Sequence, residues 1–206
     1  MFSTTTRVLL ISSLAACVVA SHFFRKRQNR GNTRGGKISN PKLLWLFFAI
    51  WFWLFECAVL AFEPSLPEAF RLIVGVHALS FWIRGGVEMV MLHVTKNWRP
   101  PLGIAHDLFC IATVLVLATH VTETGAWGWW AYGLVVALIF ALVVETLYAY
   151  LFFGAVKGKT TGDDGIWFAS EDEERFRRIN RITAACNTPQ VLFQLGLLGF
   201  GFGLIN

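Results

Sequence analysis

Long apolar runs recur along the whole chain, and they limit what it can fold into more than any other feature. A helix needs about 20 largely apolar residues to cross a bilayer. Six runs approach or exceed that length: Val8–Phe24, Leu43–Phe62, Ala69–Val94, Leu102–Val121, Trp130–Val156 and Ile182–Ile205. The sequence therefore predicts an all-α fold, a polytopic integral membrane bundle of about six transmembrane helices.

The composition supports the same class of protein. The 206 residues are 55% hydrophobic and only 15% charged, whereas soluble proteins average about 45–50% apolar and about 25% charged residues. The net charge of +5 would suit a nucleic-acid-binding protein, but most basic residues lie in short loops between the apolar runs. Membrane orientation explains basic loops better, so no nucleic acid is expected as a partner.

The runs and loops divide the chain into five segments. We expect an N-terminal anchor helix at 1–24, a basic cytoplasmic loop at 25–42, a four-helix membrane core at 43–156, a cytoplasmic loop at 157–181 and a C-terminal membrane helix at 182–206. Ser170 and Glu173 have the spacing of a capping box, which predicts a short amphipathic helix in the fourth segment. Leu14-Ala15-Ala16-Cys17 resembles a lipoprotein signal, so a cleaved signal sequence is the alternative to an anchor.

Loop charge predicts the orientation of the bundle. Loops one, three and five carry Lys or Arg, while loops two and four carry Glu63, Glu68 and Glu123 without a basic residue. Because cytoplasmic loops are enriched in Lys and Arg, the basic loops are assigned to the cytoplasm and both termini to the outside. The expected location is the inner cell membrane.

Ionisable and amide side chains interrupt four of the apolar runs on the cytoplasmic side. Such groups are costly in hydrocarbon and are functional candidates by default. Their depths predict one intramembrane binding pocket made of Arg84, Glu88, His106, Asp107, Glu145, Asn187 and Gln190. The alternative is purely structural: Arg84 and Glu88 neutralise each other one turn apart, and the amides link helices.

The histidines offer a second interpretation, haem b binding. His77 is expected at the depth of His120, and His93 at the depth of His106, because the third and fourth runs are antiparallel. Paired histidines can hold haem from both sides. The fourteen-residue step from His106 to His120 is similar to that of two-haem membrane cytochromes, but His77 and His93 point to nearly opposite sides of their helix.

Three functions follow from these patterns. The first is a membrane subunit, assembly factor or binding protein whose pocket docks a membrane partner, a lipid or a quinone-like ligand. The second is a haem b redox subunit, and the third is an acid–base enzyme acting on a lipid-soluble substrate through Glu88, His106, Asp107 and Glu145. Besides the lipid bilayer, the expected partners are other membrane proteins or further copies of the chain.

Two features of the last run concern its packing. Pro189 is expected to kink the helix. Gly199 and Gly203 form a G-x-x-x-G pair, which favours close packing against another helix. No zinc-protease, hydrolase or phosphate-loop motif occurs in the sequence, so no metal site is expected.

Overall fold

The computed structural model describes residues 1–28, 43–45, 47–95, 100–123, 129–156, 181 and 187–204. Every regular element in these ranges is helical, as predicted. The helices are α1 (Thr4–Gln28), α2 (Trp53–Leu60), α3 (Glu68–His93), α4 (Pro100–Glu123), α5 (Trp129–Val156) and α6 (Thr188–Gly201), and a π-helical segment, Phe47–Phe52, leads directly into α2.

Among the described residues, five helical segments are long and apolar enough to cross a membrane: Thr4–Lys26, Leu43–Leu60, Glu68–Met91, Pro101–Thr119 and Tyr132–Leu151. They correspond to the first five predicted runs. Of the sixth run, the described helix is α6, with 14 residues. The basic loop at 29–42, the predicted amphipathic helix with its capping box, and residues 182–186 lie outside the described residues.

Apolar side chains cover the outside of this bundle as well as its core. Leu79, Phe109, Val116 and Val136 are each more than 60% exposed, although they are large and apolar. Exposed apolar surface of this extent is unusual for a soluble monomer, and it fits a helical membrane bundle. The core lies mainly between α2, α3, α4 and α5, where its fully buried members include Leu60, Val74, Leu134, Leu138 and Leu142.

The end of α6 differs from the predicted helix-packing motif. Gly203 has a φ of +72° and lies beyond the helix, which ends at Gly201. The Gly203 N–H donates to the Phe200 carbonyl at 3.0 Å, and the Leu204 N–H donates to the Gly199 carbonyl at 2.8 Å. This is the Schellman arrangement that ends a helix at a left-handed residue, so Gly199 and Gly203 do not form one helical face.

The predicted kink is also absent from the described helix. Pro189 is the second residue of α6, which begins at Thr188. An amide in the first turn of a helix has no intrahelical acceptor, so proline is tolerated there without breaking a hydrogen bond.

The first residues of the chain dock against the end of α6. The Phe2 N–H donates to the Gly201 carbonyl at 2.9 Å, and the Phe2 ring is only 2% exposed. Nearby, the backbone N–H and the hydroxyl of Ser3 donate to one carboxylate oxygen of Glu63 at 3.1 and 2.9 Å. The start of α1, the end of α6 and the turn after α2 therefore meet at one end of the bundle.

Glu63 gives this end a measurable pH dependence. Burial opposes its ionisation, but hydrogen bonds from Ser65, Thr6 and Ser3 outweigh burial and lower the pKa of Glu63 from its ordinary value of 4.5 to about 2. A depressed folded-state pKa means that the ionised group stabilises the fold above about pH 4.5, and that this stabilisation disappears as the pH falls towards about 2. We expect Glu63→Gln to lower stability at pH 7 and to remove this part of the acid sensitivity, measured by unfolding in detergent across that pH range.

The matched control is Glu68→Gln, because Glu68 is an exposed carboxylate in the first turn of α3. It should leave the pH profile of unfolding unchanged. Equal acid sensitivity of the wild-type protein and Glu63→Gln would contradict this role for the carboxylate.

Candidate functional site

Arg84 is the centre of an ion-pair network between α3 and α4. Its Nε donates to Glu88 Oε1 at 3.0 Å, one turn along the same helix, and its Nη1 donates to Asp107 Oδ1 of α4. The Asp107 side chain is fully buried, whereas the Glu88 side chain is 25% exposed. The sequence-predicted residues Arg84, Glu88 and Asp107 therefore form one connected cluster, with Glu88 at its outer edge.

Small and aromatic neighbours hold the guanidinium in place. A Cβ at Gly103 would lie 3.0 Å from Arg84 Nη2, so glycine at this position of α4 leaves room for the ion pairs. Arg84 Cζ lies 5.6 Å from the centre of the Phe81 ring, a cation–π geometry. The same ring meets His106 edge-on, with 4.8 Å between ring centroids.

His106 is bonded through both ring nitrogens. Its Nδ1 lies 3.2 Å from Asp107 Oδ1, and its Nε2 lies 3.1 Å from the carbonyl oxygen of Ser80. The Asp107 carboxylate and the Ser80 carbonyl are both acceptors, so both are satisfied when each nitrogen carries a hydrogen. In that imidazolium state two positive groups, His106 and Arg84, balance two negative ones, Asp107 and Glu88. The cluster is then neutral as a whole.

A cavity of about 40 Å³ lies next to this cluster and is lined by α5, α6, α3 and the π-helical segment with α2. Its polar lining consists of Glu145, Asn187, Gln190 and His77. Phe81 lines the same cavity and contacts both Arg84 and His106. It therefore joins the cavity to the ion-pair network. A volume of this size admits a few water molecules.

His77 presents a hydrogen-bond donor without an acceptor. Its Nε2 accepts a hydrogen bond from the indole N–H of Trp53 at 3.3 Å, so in the neutral imidazole the hydrogen must be on Nδ1. His77 is 6% exposed, and its Nδ1 has no partner among the described residues. A buried N–H donor thus remains unsatisfied in a residue that lines the cavity.

The predicted pocket residues therefore fall into two adjoining groups. Arg84, Glu88, His106 and Asp107 form the ion-pair network, and Glu145, Asn187 and Gln190 line the cavity. Glu145 interacts electrostatically with Arg84, but no ion pair joins the two side chains. Sequence reasoning missed Gln194, although its four-residue spacing from Gln190 places both amides on one helical face.

Of the four histidines predicted as haem ligands, the two with described side chains are engaged in hydrogen bonds. The side chains of His93 and His120 lie outside the described residues. In the described part of the site, His106 uses both nitrogens and His77 uses Nε2 for hydrogen bonds. Haem ligation through His106, or through Nε2 of His77, would require these bonds to break. Within the described ranges, no group of three or more His, Cys, Asp or Glu side chains is placed to hold a metal ion.

Comparison of the chain with protein-family models, with curated proteins and with solved structures gave no match. The functional argument therefore depends on the chemistry of this site.

Proposed function

We propose that this chain is a multi-pass binding protein of the inner cell membrane, with its basic loops in the cytoplasm. Its ligand is a lipid-soluble molecule that carries a hydrogen-bond acceptor, such as the carbonyl group of a quinone head. The site is the cavity lined by His77, Glu145, Asn187 and Gln190. This cavity adjoins the Arg84 network in the half of the bundle that faces the cytoplasm.

The observation that carries this proposal is the unsatisfied donor of His77. Leaving a buried N–H without an acceptor costs about 1–3 kcal/mol of folding free energy. His77 carries this N–H, and it lines the cavity together with three other polar side chains. A carbonyl oxygen that enters this cavity accepts from His77 Nδ1 and meets amide donors of Asn187 and Gln190. Polar side chains converging at membrane depth are characteristic of functional sites.

Charge and size narrow the class of ligand. The Arg84 network is neutral when His106 is protonated and net negative when His106 is neutral, so in neither state does it supply a free positive charge to attract an anion. The cavity of about 40 Å³ is much smaller than the roughly 300–1,000 Å³ of a pocket that encloses a whole ligand. We infer that only the carbonyl end of the head group enters, while the ring and the tail stay in the surrounding lipid.

Filling the cavity should weaken ligand binding. Ala141 lines the cavity, and Ala141→Leu adds apolar volume without adding charge. Binding is measured as quenching of tryptophan fluorescence by a ubiquinone analogue with a decyl tail, because Trp53 also lines the cavity. We expect saturable quenching in the wild-type protein and at least tenfold weaker binding in Ala141→Leu, which corresponds to about 1.4 kcal/mol.

Ala112→Leu is the matched control, since Ala112 is exposed on α4 and the same substitution there leaves the cavity open. It should bind the analogue as the wild-type protein does. Absence of saturable binding to the wild-type protein, or equal loss in the two variants, would refute a quinone-like ligand at this cavity.

A further inference from the structure

The carboxyl group of Glu56 on α2 takes no part in the site described above. Glu56 is 0% exposed, and neither of its oxygens has a hydrogen-bond partner among the described residues. The neighbouring side chain is Gln194 of α6, which is also 0% exposed. Gln194 Nε2 donates to the Phe48 carbonyl at 3.5 Å, while its Oε1 has no partner. These two adjacent side chains thus present three buried acceptor oxygens, none of which receives a hydrogen bond from the described residues.

The charges around Glu56 do not favour a carboxylate. None of the ion pairs formed by the described residues includes Glu56. The Cys57 thiol is close enough to interact electrostatically with Glu56, and His77 of α3 bonds Trp53 instead. An ionised carboxylate without a counter-ion is very costly in a dry interior. A neutral acid removes that charge and supplies the missing donor.

We propose that Glu56 and Gln194 form a proton-binding site in the middle of the membrane. The carboxylic acid O–H of Glu56 donates to Gln194 Oε1, and the proton exchanges with the cytoplasm through the polar cavity. This inference goes beyond ligand binding: the proton site, Glu56 with Gln194, lies outside the proposed ligand site, and only its route to the cytoplasm shares the cavity.

The amides of α6 supply the connection to the cavity. Gln190 lies one turn before Gln194 and lines the cavity together with Asn187 and Glu145. Its Nε2 donates to the Ala49 carbonyl at 2.8 Å, so both glutamines bond carbonyl groups of the π-helical segment. π-Helical turns occur frequently at functional sites. Water in the cavity and these amides together form a polar route from Glu145 towards Glu56.

A proton fits this position better than a metal ion does. Neither the cavity of about 40 Å³ nor the smaller one of about 10 Å³ between α3 and α4 is lined by Glu56 or Gln194. A sodium ion needs several oxygen ligands and a space of its own. A proton needs only the short distance between a donor oxygen and an acceptor oxygen.

Infrared spectroscopy tests both parts of the proposal. At neutral pH the wild-type protein should show the C=O stretching band of a protonated carboxyl group, and Glu56→Gln should lose it while remaining folded, because glutamine has nearly the same shape. Glu63→Gln is the matched control: Glu63 is ionised at this pH, its pKa being about 2, so that variant should keep the band. Glu145→Gln, recorded in parallel, separates any contribution of the cavity carboxyl.

Transfer to D₂O then tests the route. The Glu56 band should shift when the carboxyl proton exchanges for deuterium. In Gln190→Leu the rate of this exchange should be at least tenfold lower than in the wild-type protein. Thr146→Val is the control, because the Thr146 hydroxyl donates to the Leu142 carbonyl of its own helix. An unchanged band in Glu56→Gln would mean that Glu56 is ionised and would overturn the proposal, as would a band that appears only when sodium is removed. Equal exchange rates in Gln190→Leu and Thr146→Val would overturn the route.

Discussion

Replacing Arg84 by methionine should destabilise the protein by about 3–5 kcal/mol, because it removes one partner of a buried ion pair and leaves the other charged. The Asp107 side chain is 0% exposed, and its second oxygen, Oδ2, already lacks a partner. Without the guanidinium, Asp107 keeps only His106 as a counter-ion, and Glu88 keeps none in the network. The loss is measured by unfolding the purified protein with SDS in mixed micelles.

Two further variants separate charge from packing. Arg84→Met combined with Asp107→Asn should recover much of the lost stability, because the uncompensated carboxylate is removed; the double-mutant cycle gives the coupling energy between the two side chains. Arg7→Met is the matched control on α1, where the Arg7 guanidinium donates to the exposed Thr4 hydroxyl at 3.5 Å. It should change stability by less than about 0.5 kcal/mol. If Arg84→Met were no more harmful than Arg7→Met, the network would not be a buried ion pair in the folded protein.

Gly201→Ala should destabilise the end of the bundle where Phe2 docks on α6 by about 1–3 kcal/mol, the usual cost of overpacking a filled site. A Cβ at position 201 would overlap a ring carbon of Phe2. Such a contact forces the Phe2 ring out of its buried position. The helix propensity of alanine, up to about 1 kcal/mol better than that of glycine, offsets only part of this loss. Thermal unfolding in detergent and protease sensitivity of the N-terminus measure the effect.

Gly196→Ala is the control within the same helix, since a Cβ there meets nothing within 4 Å. It should leave stability unchanged or raise it slightly. Phe2→Ala removes the ring itself, so adding Gly201→Ala to Phe2→Ala should cost less than it does in the wild-type protein. Equal costs in both backgrounds would show that the N-terminal residues do not dock on α6.

The comparison of these glycines explains one error of sequence reasoning. Gly199 and Gly203 have the spacing of a helix-packing motif, yet a spacing rule assumes that the helix continues. Gly203 adopts a φ of +72°, and this local backbone geometry ends the helix two residues earlier. Gly201, which lies outside the spaced pair, is the glycine that the Phe2 ring approaches. No pattern within α6 predicts contact with Phe2, 199 positions away in the sequence.

Apolar runs in the sequence predict a helical fold and the positions of the five long apolar helices found among the described residues, and they predict similar depths for several ionisable groups. These predictions follow from local regularities: the length of apolar runs, the helical rise per residue and the charge of loops. Which of these polar groups meet is a matter of tertiary packing. Arg84 bonds Asp107 rather than Glu145, His77 bonds Trp53, and Glu56 lies beside Gln194. The reason is physical: depth fixes a residue along the helix axis, whereas partnership also depends on helix rotation and on which helices are neighbours, and packing between distant segments sets both.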